Sequence, residues 1–467
     1  MSDHMKLNYF NFKEFGSKVL LTNDLGNHLF LSKSKFTQLL KKEIDLNSET
    51  GQALIRSHMV YTETNLEFSS RLKYDLRRIK GHFNIATSLH IFVVTSACNM
   101  KCVYCQANNG LTCSSIHMTK ETAERAVDIS LQSPSKYLTF EFQGGEPLLN
   151  FEIIRHIVAY ADTHKGDHII NYNIVTNLTL LTDEMINFFV DHHFGISTSI
   201  DGPALLHDAN RPFRNGNGTF TAVTDAIGLL RKKGLRVGAI QTTTRASLSH
   251  PKEIVRTYFE LGFDSIFLRP LTPLGKAAMH WDAIGYTADE FIDFYIQALD
   301  AVIELNRTER FMKEDHASIL LSRIAGHFVN YMELRSPCGA GIGQLAYYAD
   351  GDIFTCDEGR MLHEMGDHAF RLGNVFSSTY TDIVSSSVCK TVCASSILES
   401  LPSCCDCVYQ PYCGTCPVVS YAAAQDVMEK MPHGYRCKIY SGMLDYLFGL
   451  LSENNTDILS VLNAWSN

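Results

Sequence analysis

The sequence lacks several features that would place it in large classes of protein. Its 467 residues contain no run of about 18 apolar residues, so we expect no membrane-spanning helix. Residues 1–10 contain no apolar core of a signal peptide, which predicts a cytoplasmic protein. Lys and Arg (41) are outnumbered by Asp and Glu (50), and the net charge of -9 argues against general nucleic-acid binding, which needs a basic surface.

Cysteine, in contrast, is abundant, with 14 copies. Disulfides are rare in a reducing compartment, so these thiols favour metal binding or catalysis. Four of the cysteines lie within residues 98–113 and ten within residues 338–437. Two cysteine-bearing regions therefore flank a long cysteine-free body.

That body, residues 91–270, alternates strand-like and helical patterns. Thr119 is expected to cap a helix, Pro251 to open another and Gly262 to end it. Six strand–helix units in series predict an α/β fold with a parallel sheet, either open or curved into a partial (β/α)6 TIM-like barrel. In both arrangements ligands bind at the carboxyl ends of the strands. The strand-like runs are IFVVT from Ile91, YLTFEF from Tyr137, IINYNIVT from Ile169, GISTSI from Gly195, RVGAIQTT from Arg236 and DSIFLRP from Asp264.

We expect four regions along the chain. Residues 1–85 combine a hairpin pattern around Asp24–Gly26 with helical patterns, as a small α+β module does. Residues 86–310 form the core domain. Residues 335–440 are rich in cysteine and short segments, so we expect them to need metal for their stability. Residues 441–467 form a helical tail.

Three cysteines follow the first strand of the body with the spacing Cys98-x3-Cys102-x2-Cys105. Three thiolates on one tight loop can hold three corners of a cubic [4Fe–4S] cluster and leave the fourth iron without a protein ligand, whereas ordinary electron-transfer clusters take four cysteines. The alternatives are chance and a zinc site, which would need a fourth ligand such as the distant Cys113.

A second motif, QGGEP at residues 143–147, ends the second strand. Its two glycines let the backbone come close to a ligand, and Glu146 can accept hydrogen bonds from an ammonium group. The alternative is a plain Gly-Gly turn with a solvated carboxylate.

The carboxyl third carries a further metal pattern, Cys404-x2-Cys407-x5-Cys413-x2-Cys416. Two C-x2-C pairs at this spacing indicate a zinc ribbon or an iron–sulfur site. Composition alone favours zinc.

Taken together, Cys98-x3-Cys102-x-Tyr104-Cys105 and Gly144-Gly145-Glu146-Pro147 resemble the two signatures of the radical S-adenosylmethionine (SAM) superfamily. The resemblance implies that the amine and carboxylate of SAM chelate the open iron. It also implies that reductive cleavage gives a 5′-deoxyadenosyl radical, which removes an unactivated hydrogen from the substrate.

The same resemblance suggests roles for three further side chains. Tyr104 would lie near the adenine of SAM. Ser199 resembles a polar position after the fourth strand that contacts SAM, although a turn role is equally open. Asp201 is interpreted as a turn residue, with proton acceptor as the alternative.

The cysteine-rich region is similar to the SPASM extension of peptide-modifying radical SAM enzymes, which binds two auxiliary [4Fe–4S] clusters. The likeness assigns one cluster to Cys404, Cys407, Cys413 and Cys437, and the other to Cys338, Cys356 and Cys416. The latter set lacks its usual second cysteine, since residues 339–345 contain none. Either another thiol supplies the missing ligand or that iron is open to substrate; the other thiols are Cys389, Cys393 and Cys405.

Across nearly the whole chain the sequence resembles the His-Xaa-Ser system radical SAM maturases of the HxsB type. Implied partners are a precursor peptide with His-Xaa-Ser repeats, a second radical SAM maturase, and an electron donor of flavodoxin or ferredoxin type. The N-terminal region resembles winged-helix-like domains that hold leader peptides by strand addition, with a structural cap as the alternative. Auxiliary clusters suit a net oxidation, so a side-chain crosslink is favoured.

Two other functions remain open at this point. One is anaerobic sulfatase maturation, against which the missing cysteine after Cys338 argues. The other is a zinc-stabilised interaction module without catalysis. Three arginines after strands are candidates to hold peptide carbonyls or carboxylates: Arg211, Arg214 and Arg269. For Arg214 the favoured interpretation is a solvated surface residue.

Overall fold

A computed structural model describes residues 5–62, 68–107, 115–327, 329–428 and 434–466. Cys113, which the sequence left as a distant candidate ligand, lies outside these ranges.

Residues 5–62 form a small module of two sheets and two helices. β1 (Lys6–Leu7) pairs antiparallel with β5 (Val60–Tyr61). The remaining strands form a three-stranded antiparallel sheet in the order β2–β3–β4, so the predicted hairpin is present. Its strands are β2 (Asn11–Phe15), β3 (Lys18–Thr22) and β4 (His28–Ser32), and its helices are α1 (Lys33–Leu40) and α2 (Glu49–Arg56).

Ten strands form the main sheet. The six predicted strands lie side by side in their sequence order and are all parallel. A doubly wound sheet reverses its strand order at a switch point, and these six strands show no such reversal. Their order is that of a barrel. These strands are β6 (Leu89–Thr95), β7 (Tyr137–Gly144), β8 (Ile169–Val175), β9 (Gly195–Ser199), β10 (Val237–Thr242) and β11 (Ser265–Arg269).

Four further strands extend this sheet, and sequence patterns did not predict them. At one edge β12 (Lys313–Glu314) pairs parallel with β11. At the other edge β13 (Gln344–Tyr347) pairs parallel with β6 and continues into β14 (Asp352–Phe354) and β15 (Arg371–Asn374). The cysteine-rich region is thus joined to the core by backbone pairing, and metal is not its sole support. β12 and β14 are only two and three residues long, too short to show a period.

Helices separate the strands as expected. Thr119 caps α4 by accepting a hydrogen bond from the backbone N–H of Thr122, and Pro251 opens α9. The helices of the body are α3 (Phe68–Ile79), α4 (Lys120–Ser130), α5 (Phe151–His164), α6 (Asp183–Asp191), α7 (Ala204–Asn210), α8 (Phe220–Lys232), α9 (Pro251–Glu260), α10 (Lys276–Met279), α11 (Trp281–Ile284), α12 (Ala288–Thr308) and α13 (Asp315–Ile324). Short 3-10 helices follow several of them.

The remaining helices follow the sheet extension. They are α14 (Asp357–Glu364), α15 (Tyr380–Ser385), α16 (Ser387–Ala394), α17 (Pro417–Ala424), α18 (Tyr435–Glu453) and α19 (Thr456–Ser466). The last two helices pack into the main hydrophobic core through Leu444, Phe448 and Trp465, all buried. The Trp465 indole donates a hydrogen bond to the carbonyl of Met312, 3.0 Å away.

The result is an α/β fold with a large, mostly parallel sheet. Phe92, Phe140 and Phe142 on β6 and β7 are fully buried, as expected of strands covered by helices. No helix among the described residues is both long and apolar enough to cross a membrane.

Candidate active site

The loop of residues 96–106 directly follows β6, at the carboxyl edge of the parallel strands. The end of β7 lies against it. The backbone N–H of Gly145 donates to the carbonyl of Thr95 at 2.9 Å, and that of Glu146 donates to the carbonyl of Ala97 at 2.7 Å. The QGGEP motif is therefore hydrogen-bonded to the backbone that directly precedes Cys98.

This approach requires both glycines of the second motif. A Cβ at Gly144 would lie 2.3 Å from the carbonyl oxygen of Thr95, and one at Gly145 would lie 2.3 Å from that of Ala97. Both distances are shorter than any normal contact of a Cβ, and the opposing atoms are backbone, which yields little. The glycines serve the close approach of two loops, as well as any approach of a ligand.

Glu146 lies at the contact between the loops and is fully buried. One carboxylate oxygen accepts hydrogen bonds from the Thr176 hydroxyl (2.6 Å) and the Leu148 N–H (3.0 Å), and the other from the Asn177 N–H (2.7 Å). Burial raises the pKa of Glu146 and these three donors oppose the rise. The carboxylate thus fixes the loop after β8 to the loop after β7, a role that the sequence did not suggest, and its direct contact with an ammonium group stays a prediction.

Behind the cysteine loop lies a buried chain of three side chains. The Tyr104 hydroxyl donates to Asp201, whose two carboxylate oxygens lie 2.9 and 2.8 Å away, and Arg211 donates to that hydroxyl at 2.7 Å. Burial raises the pKa of Asp201, and the Arg211 guanidinium opposes the rise. The interpretation of Asp201 as a turn residue was wrong, since it is a fully buried acceptor. Arg211 is engaged inside the protein, which leaves the prediction that it holds peptide carbonyls without structural support.

The segment after β9, residues 207–217, braces the cysteine loop along its length. The N–H groups of Lys101 and Val103 donate to the carbonyls of Pro212 (3.0 Å) and Asn210 (2.9 Å). From the same segment, the Arg214 side chain donates through Nε to the carbonyl of Cys98 at 2.7 Å. Although Arg214 is exposed, it is a structural contact of the cysteine loop.

A third contact holds the far end of the loop. The backbone N–H of Lys276 donates to the carbonyl of Cys105 at 2.9 Å. Gly275 has a φ of +56°, and a Cβ there would lie 2.5 Å from the same carbonyl. Loops after β7, β9 and β11 therefore all converge on the three cysteines. Ser199, at the end of β9, is half-buried at the same edge.

The thiols of this loop suit a cationic iron centre chemically. No cysteine among the described residues forms a disulfide. Burial raises the pKa of Cys98 to about 12 and that of Cys102 to about 11, so each thiol stays protonated without a compensating cation. Across the described ranges, no three His, Cys, Asp or Glu side chains form a group that could hold a single metal ion.

In the carboxyl third, Cys404 and Cys413 pack in one small apolar cluster. Burial raises the pKa of Cys413, and the charges of Cys407, Cys437 and Cys404 raise it further. The N-terminal module holds this loop: Asn11 donates to the carbonyls of Cys405 (3.2 Å) and Cys407 (3.1 Å), and Thr22 to that of Val408 (2.7 Å).

Cys338, Cys356 and Cys416 form a second group. They lie buried in one apolar cluster with Leu274, which neighbours Gly275 and so lies close to the Cys105 end of the first loop. The thiolates of Cys416 and Cys338 are among the charges that raise the pKa of Cys356.

A half-buried ion triad lies beside both groups. Arg269 donates to Glu333 at 2.7 Å, and Arg436 donates to the same carboxylate at 3.4 Å. Burial would raise the pKa of Glu333, but the two guanidinium groups outweigh it and lower the pKa to about 2. Arg436 also reaches the carbonyl of Gly414 at 3.4 Å. Arg269 is thus paired within the chain, and its contact with peptide carbonyls or carboxylates stays a prediction.

Residues 92–253 match the Radical SAM superfamily, and the chain belongs to that superfamily. An uncharacterized protein from Methanothermobacter thermautotrophicus is 31% identical over 221 residues, which cover 46% of this chain and 80% of that protein. A cysteine-type anaerobic sulfatase-maturating enzyme from Clostridium novyi is 23% identical over 335 residues, covering 70% of this chain and 86% of that enzyme.

Two solved structures share the fold. One is native anSMEcpe with bound AdoMet and Kp18Cys peptide, which matches 81% of this chain and 99% of its own at 21% identity and a TM-score of 0.66. The other is Streptococcus suis SuiB bound to its precursor peptide SuiA, which matches 91% of this chain and 98% of its own at 15% identity and a TM-score of 0.54.

The chain is therefore a member of the radical SAM superfamily, similar in sequence to anaerobic sulfatase-maturating enzymes and in fold to anSMEcpe and SuiB. Membership implies a [4Fe–4S] cluster and SAM. Sequence reasoning missed the Thr176 and Asn177 donors to Glu146, which follow β8 directly, and the Glu333 carboxylate of the triad. Thr176 and Asn177 could have been found from their place at the carboxyl end of a predicted strand. Glu333 lies shortly before Cys338 in the sequence.

Proposed function

We propose that this protein modifies a ribosomally made precursor peptide, of the His-Xaa-Ser repeat type, by radical chemistry that ends in a side-chain crosslink. The observation that carries the proposal is the packing of the cysteine loop on the QGGEP loop at the carboxyl edge of the sheet, with two further thiol groups in the same chain. A net oxidation of a peptide needs an electron acceptor, and the two further groups are suited to hold auxiliary clusters.

In this proposal Cys98, Cys102 and Cys105 hold the cluster that binds SAM, and the edge formed by residues 144–147, Tyr104 and Ser199 holds SAM itself. When bound, these groups supply abstraction of a hydrogen atom from an unactivated carbon. The chain's own part is positioning: Glu146 fixes two loops, and the buried Arg211–Tyr104–Asp201 chain fixes the back of the cysteine loop. None of these positioning side chains has to gain or lose a proton during the reaction.

The auxiliary sites in this proposal are the two thiol groups. Cys404, Cys407, Cys413 and Cys437 supply four thiolates to one cluster. The other takes Cys338, Cys356 and Cys416. Both groups lie in the proposed SPASM region of residues 335–440.

The N-terminal module, residues 1–85, is proposed to hold the leader segment of the peptide. Within the described residues its three-stranded sheet has two edges, β2 and β4, that pair with no further strand. An extended peptide can add to such an edge through backbone hydrogen bonds. Both the SuiB and anSMEcpe structures are described with a bound peptide, which supports a peptide as the substrate class.

Anaerobic sulfatase maturation is the second candidate. The sulfatase-maturating enzymes of Clostridium novyi and Bacteroides thetaiotaomicron match 70% and 76% of this chain. The absence of a cysteine at residues 339–345 distinguishes this sequence from the cysteine pattern expected of an auxiliary cluster in that class. Assays with a sulfatase-derived peptide and a His-Xaa-Ser peptide separate the two functions.

The decisive experiment co-expresses the protein with the product of the neighbouring small open reading frame and examines the peptide by mass spectrometry. We expect a peptide that has lost two hydrogens per crosslink, with fragmentation blocked between the joined residues. The matched control is the Cys102→Ala variant, which should leave the peptide unmodified. An unmodified peptide with active wild-type protein, together with formylglycine formation in a sulfatase peptide, would favour the second candidate.

A further inference from the structure

Residues 68–80, which comprise α3 and Lys80, concentrate positive charge on the surface of an acidic protein, and we call this segment the basic helix. It contains five Lys or Arg residues and one Asp, a net charge of +4, in a chain whose net charge is -9. None of the 12 residues of α3, all of them described, is buried. The core therefore does not explain the composition of this helix.

Most of the positive charges lack a partner of opposite sign. Among the described residues, three of these cations form no ion pair: Arg71, Lys73 and Arg77. Asp75, the one acid of the helix, lies 3.1 Å from His58 and 3.9 Å from Arg78. Lys73 and Arg77 are four residues apart and so are neighbours on one face, where like charges destabilise a helix. An acidic partner would relieve this repulsion.

Exposed apolar side chains accompany these charges. Tyr74 is 70% exposed, Leu76 is 43% exposed, and Phe83, just after the helix, is 60% exposed. Aromatic residues and Arg are enriched in protein–protein interfaces and among the residues that contribute most to binding. The composition of the basic helix is therefore that of an interface with another protein.

The carboxyl end of the basic helix lies against the cysteine-rich region. Lys80 donates through Nζ to the carbonyl of Ser336 at 3.4 Å. Ser336 is two residues before Cys338, a span of at most about 7 Å. Ile79 lines one crevice with Pro411, which lies in the loop of the four-cysteine group. The basic helix thus borders segments that carry cysteines of both groups.

The basic helix joins the sheet at the edge opposite the candidate SAM site. Residues 81–88 lead from the helix into the amino end of β6, where Leu89 pairs with Gln344, the first residue of β13. The N–H of Ser88 donates to the carbonyl of Gly343 at 3.0 Å. A substrate that reacts beside SAM must reach the carboxyl edge. A partner that only delivers electrons has to approach no more than one iron centre.

We propose that the basic helix is the docking surface for an acidic one-electron carrier protein that reduces this chain. The inference rests on the proposed function, in which cleavage of SAM consumes one electron from outside the chain. In the docked complex the carrier is oxidised by one electron and an iron centre of this chain is reduced by one, and the transfer makes or breaks no bond. Opposite charges guide the approach, and Tyr74 supplies apolar contact.

The test measures the affinity of the full, anoxically reconstituted chain for a flavodoxin of acidic surface. Binding is measured at low ionic strength and at about 1 M salt, where charges are screened beyond about 3 Å. The test variant is Lys73→Glu/Arg77→Glu. The matched control, Lys232→Glu/Lys233→Glu, makes the same change of net charge at two exposed residues at the end of α8. Release of 5′-deoxyadenosine is then measured with reduced flavodoxin and, separately, with dithionite as the reductant.

We expect the wild-type protein to bind flavodoxin at low ionic strength and to lose most of this affinity at high salt. Electrostatic attraction of this kind raises association rates by about 10- to 1,000-fold, so Lys73→Glu/Arg77→Glu should bind at least about tenfold more weakly. With reduced flavodoxin this variant should release 5′-deoxyadenosine more slowly than the wild type by a similar factor. With dithionite the two rates should be equal, and the control variant should match the wild type throughout.

If the charge reversals lower the thermal unfolding midpoint, the milder Lys73→Gln/Arg77→Gln variant gives the same comparison. Equal affinity of the wild type and the charge-reversed variant for flavodoxin would overturn the inference. Equal flavodoxin affinity combined with weaker binding of the variant to vesicles of anionic lipid, or to the precursor peptide, would overturn it in favour of that other ligand. Failure of the proposed function has a different result: no protein would release 5′-deoxyadenosine with dithionite, while flavodoxin binding would still depend on the basic helix.

Discussion

Replacing Gly145 with alanine should separate the two loops that form the proposed SAM site. The added Cβ would lie 2.3 Å from the Ala97 carbonyl oxygen, whereas ordinary Cβ contacts begin at 3.4 Å. The loops must move apart by about 1 Å, a misplacement that can cost about 100-fold in rate. The movement also strains two backbone hydrogen bonds, from Gly145 to Thr95 and from Glu146 to Ala97, worth about 1 kcal/mol each.

The assay is release of 5′-deoxyadenosine from SAM by anoxic, reduced protein. We expect Gly145→Ala to lower the rate by about 100-fold without loss of iron from the two proposed auxiliary clusters. Gly228→Ala is the matched control, because a Cβ at Gly228, inside α8, meets nothing within 4 Å. If the two variants released 5′-deoxyadenosine at the same rate, the contact between the two loops would not position the SAM site.

Three further predictions test other parts of the molecule. Cys102→Ala should abolish SAM cleavage, whereas Cys413→Ala should lose peptide modification and keep some uncoupled cleavage; full product formation by the Cys413→Ala variant would contradict an essential auxiliary cluster. Asn11→Ala removes two hydrogen bonds to the loop of the four-cysteine group, so a chelator should remove iron from that group faster, with SAM cleavage unchanged; equal chelation rates would contradict it. Burial raises the pKa of Glu314 to about 7 from 4.5, so its protonated form favours the folded state and this stability is lost as pH rises from 4.5 through 7. Glu314→Gln should therefore flatten the fall of the thermal unfolding midpoint over that range, and an unchanged slope would argue against it.

The sequence predicted the central part of the fold well, because buried parallel strands separated by capped helices leave a strong local signal. All six predicted strands and the capping role of Thr119 are confirmed. The sheet extension was missed for a physical reason. β12 and β14 are too short to show any period, and their existence depends on pairing with strands far away in the chain.

The two site motifs were recognisable because each combines rare residues at fixed spacing. The side chains that surround these motifs were not recognisable, because their positions depend on tertiary contacts. Asp201 looked like a turn residue, and only the fold shows the Tyr104 hydroxyl pointing at it. Arg211 and Arg269 were candidates to hold peptide groups, but each finds a partner inside the protein.

The N-terminal module shows a third kind of limit. Alternating residues predicted the hairpin of this module, but they did not predict which part of the chain the module packs against. Asn11, Thr22 and Lys13 contact the loop of the four-cysteine group and α18, nearly 400 residues along the chain. Deleting residues 1–80 is therefore expected to disturb the iron at that loop as well as peptide binding. Point substitutions on the β4 edge are the cleaner test of leader recognition.

One iron at the carboxyl edge of this sheet is proposed to be open to SAM. The electron paramagnetic resonance (EPR) spectrum of the reduced, reconstituted protein, recorded with and without SAM, tests this site. We expect a cluster signal that changes on adding SAM and that is absent when Cys98, Cys102 and Cys105 are replaced by alanine. A spectrum that SAM leaves unchanged, or a protein that takes up zinc and no iron, would contradict it.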